Sequence, residues 1–134
     1  MIDMGTITTE KNGVHDITDQ VKAIVEKSGV KNGIVTVEVP HSTAGVVATS
    51  FYDPLVKDDL AYEIKRLVPS RITFKHEEAP DDAAGHIKCA LFGCSVTSIL
   101  KDGAFVAEDA LHYFLCEYDG PRNRKFYISI IEDK

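Results

Sequence analysis

The stretch Gly33-Ile34-Val35-Thr36-Val37-Glu38-Val39-Pro40-His41-Ser42-Thr43-Ala44-Gly45-Val46-Val47-Ala48-Thr49 decides how the rest of the chain is read. Residues 33–39 alternate apolar with small or polar side chains at a period of two, and 46–49 are β-branched and largely apolar. This predicts one strand ending at a loop and another beginning just after it. His41 stands where the first strand ends, beside the hydroxyls of Ser42 and Thr43 and a glycine, Gly45, that admits close approach to the backbone. Such a histidine is placed to bind a ligand or move a proton, although taken alone it is more often an ordinary turn residue with a satisfied hydrogen bond.

Working outward, 134 residues make one domain, large enough to bury about two-thirds of its unfolded surface. A net charge of −6 argues against a nucleic-acid or anionic-membrane surface, since both require clustered Lys and Arg, and so favours small-molecule or protein partners. No basic leader with an apolar core opens the sequence, and no apolar run reaches bilayer length, so a cytoplasmic protein is expected. Cys89, Cys94 and Cys116 form neither a C-x-x-C pair nor an even disulfide set and read as buried, reduced thiols.

On the amino-terminal side, 4–10 predicts an edge strand, 11–13 a turn, and 14–17 a short second strand that carries His15. Thr18 is the expected cap of a helix bearing Val21, Ile24 and Val25 on one face and stopping at Gly29. On the carboxyl side, Asp53-Pro54 opens a second helix with Leu55, Leu60, Ile64 and Leu67 as its apolar side and Pro69 as its end. Residues 71–75 alternate as a strand delivering His76; the acidic stretch 77–82 reads as a loop. A third helix follows over 83–93, capped by Asp82 and stopped by Gly93, with His86 near its front. The last third is β-rich: 95–100, a turn at 101–103, a return strand from 104, and further strands at 111–118 and 125–131. The order of elements indicates an α+β fold with two mainly antiparallel sheets and about three helices.

His41, His76 and His86 fall at strand ends or a helix front rather than in mid-strand. Brought together, three neutral imidazoles would suit a divalent metal such as Zn²⁺, with Asp81 or Asp82 orienting a ring; apart, they are surface histidines. Arg122 and Arg124, in the turn 119–124, suit bidentate binding of phosphate or carboxylate, or pair with Glu117 or Asp119.

The segments 41–46 (HSTAGV), 53–59 (DPLVKDD), His76, 81–88 (DDAAGHIK), 91–93 (LFG) and 117–122 (EYDGPR) together resemble the YjbQ-like family, also described as a secondary thiamine-phosphate synthase family. The resemblance covers almost the whole chain with its motifs in order. It implies a homotrimer with His41, His76 and His86 in a polar pocket suited to a metal ion, Zn²⁺ first. It also implies a weak capacity to join the thiazole-phosphate and pyrimidine-pyrophosphate halves of thiamine phosphate. On this reading His41, His76, His86 and Asp82 are the catalytic candidates, and Ser42, Thr43, Arg122 and Arg124 the candidates for binding a phosphorylated small molecule. Two segments depart from the family pattern. Thr49 and Ser50 replace an Asn-Glu pair, and Glu108–Leu111 replace Gly-Thr-Trp-Gln, which weakens the case for catalysis and keeps a non-catalytic trimeric small-molecule or metal-binding module as the alternative.

Overall fold

The computed structural model describes residues 1–71, 74–75 and 80–134. His76, residues 72–73 of the strand expected over 71–75, and residues 77–79 of the acidic loop lie outside the described residues; the described residues of that expected strand, 71, 74 and 75, are not in a strand, and 80–82 belong to a helix rather than the loop. In chain order the elements are β1 (Ile2–Thr8), β2 (Val14–Asp16), α1 (Thr18–Ser28), β3 (Gly33–Glu38), β4 (Ala44–Thr49), α2 (Val56–Leu67), α3 (Pro80–Phe92), β5 (Ser95–Lys101), β6 (Ala104–Phe105), β7 (His112–Glu117) and β8 (Asn123–Glu132). Among the described residues the strands form two antiparallel sheets, one ordered β1-β8-β3-β5-β6 and the other β2-β7-β4. The fold is therefore α+β, as the sequence indicates.

Alternation along the strands builds the core. Val35, Val37, Phe126, Ile128 and Ile130 of the larger sheet face Val46, Tyr113 and Leu115 of the smaller one, all nearly or wholly buried, and Val21 and Val25 of α1 pack on the same cluster. The opposite face of the smaller sheet buries Phe114 and Cys116 beneath Ile64 of α2, with Cys89 and Phe92 of α3 packed alongside. The smaller sheet is thus covered on both sides, and β7 is apolar on both faces for that reason. The larger sheet is covered on one side. Ile34 pairs in register with both Ile99 and Ile131, and all three isoleucines are exposed on its outer face.

Helix boundaries differ from expectation in instructive ways. Thr18 is the first residue of α1 and not its cap; the Asp16 carboxylate accepts hydrogen bonds from the Thr18 backbone N–H at 2.9 Å and from its hydroxyl at 2.5 Å. In α3 the first turn starts at Pro80, so Asp81 and Asp82 lie within it, favoured there by the helix dipole. Leu55 and Leu67 are exposed, leaving Ile64 as the buried residue of α2. The region before β7 forms a single 3₁₀ turn at Glu108–Ala110, with Glu108 in the left-handed region at φ 53°.

Candidate functional site

Three chain crossovers meet at one end of the two sheets. The β1–β2 and β3–β4 connections pass from the larger sheet to the smaller, and the β7–β8 connection returns. Backbone bonds knit them together: Thr9 N–H donates to Arg122 O at 2.8 Å, Asn12 N–H to Asp119 O at 3.1 Å, and Tyr118 N–H to Thr43 O at 2.9 Å. The His41 loop is the β3–β4 crossover.

A buried ion pair holds this junction. Period-two alternation in β7 turns Glu117 inward with Tyr113 and Leu115, and the same rule in β8 turns Arg124 inward with Phe126. The two side chains, 0% and 4% exposed, form a bidentate pair in which Arg124 Nε donates to Glu117 Oε1 at 2.7 Å and its Nη2 to Oε2. The Thr9 hydroxyl donates to Glu117 Oε1 at 2.6 Å, and the Asp119 N–H to Oε2 at 3.2 Å. Burial alone would push the Glu117 carboxyl up; the bonds from Arg124 and Thr9 outweigh it and hold the group below the ordinary carboxylate range. Arg124 Nη2 also donates to the Thr43 hydroxyl at 2.8 Å and to its carbonyl at 3.3 Å. The Nε and Nη2 donors are thus taken by the protein's own acceptors, and through them Arg124 shapes the His41 loop from beneath.

His41 sits above this pair. At the end of β3 the chain turns away through Pro40, while β8 runs on, leaving the Lys125 N–H without a strand partner on that side. The His41 ring takes the place, its Nε2 accepting the Lys125 N–H at 3.0 Å. Partial burial, and then the Arg124 guanidinium, lower the affinity of this imidazole for a proton below its ordinary value.

Helix α3 closes the loop from the other side. The Cys89 thiol donates to His41 O at 3.4 Å, and Gly85 lies so close to Thr43 that a β-carbon at 85 would stand 3.2 Å from the threonine side chain. His86 lies between these two contact positions in sequence, at the flank of the packed stripe, with its Nε2 3.5 Å from Asp82 Oδ2 one helical turn earlier. The Asp81 carboxylate accepts from Lys11 Nζ at 2.8 Å and from the Ser70 hydroxyl, anchoring the front of α3 to the β1–β2 turn.

The structure therefore places the His41 loop and the segment bearing Asp82 and His86 side by side, while His76 lies outside the described residues. Ser42 is exposed on the loop and Thr43 is buried beneath it. Arg122, half exposed, donates to Asp119 at 2.7 Å within its own turn. Among the described residues no three His, Cys, Asp or Glu side chains gather as a metal-binding group. The donor chemistry at His41 also does not fit a metal in this arrangement. The ring nitrogen facing Lys125 is already accepting a hydrogen bond, and ligation of a neutral ring by the other nitrogen would require the first to carry a hydrogen pointed at that N–H.

Sequence reasoning offered Glu117 as a partner for the turn arginines, which the structure shows for Arg124, but missed that the pair is buried and organises the junction, although the inward parity of Glu117 in an apolar strand was a readable signal. It also missed Lys88, 3% exposed on α3, whose amine burial makes harder to protonate.

An α+β protein of two packed antiparallel sheets, with a histidine loop at the crossover, is the class these features define. A family model described as UPF0047 protein YjbQ-like matches residues 4–133, and the chain belongs to that family. It is 41% identical over 127 residues to a UPF0047 protein of Methanocaldococcus jannaschii, covering 95% of this chain and 91% of the relative. It is 30% identical over 127 residues to UPF0047 protein YugU of Bacillus subtilis, covering 92% and 93%. Its fold superposes with a TM-score of 0.91, at 33% identity and over 99% and 97% of the two chains, on a crystal structure of a YbjQ-like protein of unknown function from Sulfolobus solfataricus.

Proposed function

We propose that the His41 loop and the front of α3 form a pocket that binds a phosphorylated small molecule and acts on it. His41 and His86 are its proton-handling or hydrogen-bonding groups, Asp82 orients His86, and Ser42 with Arg122 supplies exposed anion contacts at the rim. One observation carries this reading: a buried polar assembly of Glu117, Arg124, Thr9 and Thr43 ties the three crossovers together directly beneath the loop that presents His41. Buried charged networks are costly, and a turn that only joined two strands would not need one.

The coupling of a thiazole phosphate with a pyrimidine pyrophosphate is the reaction that the family resemblance puts forward first. A binding module without turnover uses the same groups, and the Thr49-Ser50 and Glu108–Leu111 segments favour it. In either case the outer face of the larger sheet, with its in-register Ile34, Ile99 and Ile131 and a shallow groove of about 530 Å³ beside them, is the surface on which copies of the chain associate into a trimer.

The test is a thermal-shift and calorimetric screen of phosphate monoesters and diphosphates against the intact protein, His86→Ala and Arg122→Ala. We expect binding in the wild type that both variants weaken. Absence of any phosphate-dependent response in the wild type would refute the reading. Pyrophosphate release from the two thiamine precursors, followed in the same samples, separates turnover from binding alone. Light scattering of Ile99→Lys against wild type reports the assembly: a trimer that falls to monomer is expected, and an unchanged mass would reject this face.

A further inference from the structure

We infer that His41 is a tautomer-fixed hydrogen-bond donor, holding its proton on Nδ1 for an anionic oxygen of the ligand, and is not a metal ligand. The inference deepens the proposed function and rests on that reading for its ligand.

The argument begins with the backbone. An imidazole nitrogen that accepts an N–H must be unprotonated. The donor facing His41 Nε2 is the main-chain N–H of Lys125, held in place by its pairing opposite Thr6 in the β1–β8 ladder. A backbone amide cannot reverse its role, so the contact selects one ring state: neutral, with hydrogen on Nδ1. The surroundings act in the same direction. Partial burial of the ring disfavours a second proton first, and the Arg124 guanidinium beneath the loop, bonded to Thr43 two residues on, adds to it; the Glu117 carboxylate pulls the other way without reversing the direction. Nδ1 makes no hydrogen bond with the described residues, and the neighbouring Ser42 is exposed. A neutral ring with one N–H fixed on Nδ1, in a loop whose next residue is the exposed Ser42, is matched to a phosphate or carboxylate oxygen.

Long-range ¹H–¹⁵N correlation spectra of the intact labelled protein at neutral pH read the tautomer directly. We expect the His41 signals of a neutral ring protonated on Nδ1. Stoichiometric Zn²⁺ should leave them in place, whereas inorganic phosphate should move them. His41→Ala should weaken phosphate binding about 10- to 100-fold, the equivalent of one hydrogen bond to a charged group. A proton on Nε2, or Zn²⁺ that shifts the His41 signals and is lost in His41→Ala, overturns the inference. Phosphate that binds while leaving the His41 signals unmoved overturns its anion-binding half. If phosphate binds nowhere on the protein, the proposed function fails, while the wild-type tautomer and zinc measurements still decide whether His41 is the fixed donor described.

Discussion

Removing Arg124 should expose how much the crossover junction depends on one ion pair. In Arg124→Met the apolar stem is kept, but Glu117, 0% exposed, loses two of its four donors and Thr43 loses both bonds to its hydroxyl and carbonyl from the guanidinium. A buried pair broken on one side costs about 3–5 kcal/mol, because the surviving charge stays out of water without its partner. With about 2.1 cal/mol/K of unfolding entropy per residue, 134 residues convert that loss into a fall in Tm of roughly 11–18 °C. The double variant Arg124→Met/Glu117→Leu removes both charges and should recover about half of the loss, the remainder reflecting the Thr9, Thr43 and Asp119 groups left without partners. Urea and thermal unfolding at one protein concentration, followed by circular dichroism, measure all three proteins. A cost below about 1 kcal/mol for the single variant, the range of an exposed pair, would refute the assignment of this pair as the junction's tie.

Three further outcomes follow from the same geometry. Because the folded-state pKa values of Glu117 and Asp16 are depressed, their contribution is present above the ordinary carboxylate range and is lost as pH falls through the folded values; acid unfolding of the wild type should therefore be steeper below that range than in Glu117→Gln, as equilibrium titrations would record. Glu108 sits at φ 53°, so Glu108→Gly should relieve strain of order 1 kcal/mol and raise Tm by a few degrees, where a fall would contradict the conformation. Gly45→Ala would place a β-carbon 2.4 Å from the Gly93 carbonyl oxygen, a backbone atom that cannot swing aside, and should cost about 1–3 kcal/mol in urea unfolding and loosen α3 from β4.

Much of the architecture was legible because it is written in local periodicity. Residues 33–39 and 95–100 alternate, and Gly29 and Gly93 do stop their helices, each in the left-handed region. Where the reading slipped, a competing local interaction won: Asp16 serves the start of α1 in place of Thr18, and Pro80, suited to a first helical position, draws Asp82 inside α3. Leu55 and Leu67 looked like a helix stripe by composition, yet α2 begins after the first and ends with the second.

The site divides along the same line. Local pattern was enough to place most of the strands and the three helices, the strand end at His41, and His86 behind an acidic helix front, because each depends on residues within a few positions of one another. Only the tertiary structure decided that Arg124 is buried and turned onto both Glu117 and Thr43, and that the His41 ring completes the ladder of a strand 84 residues away. The physical reason is that a side chain's partner is set by which ends of which strands meet at the crossover, and neither hydrophobic period nor spacing carries that information.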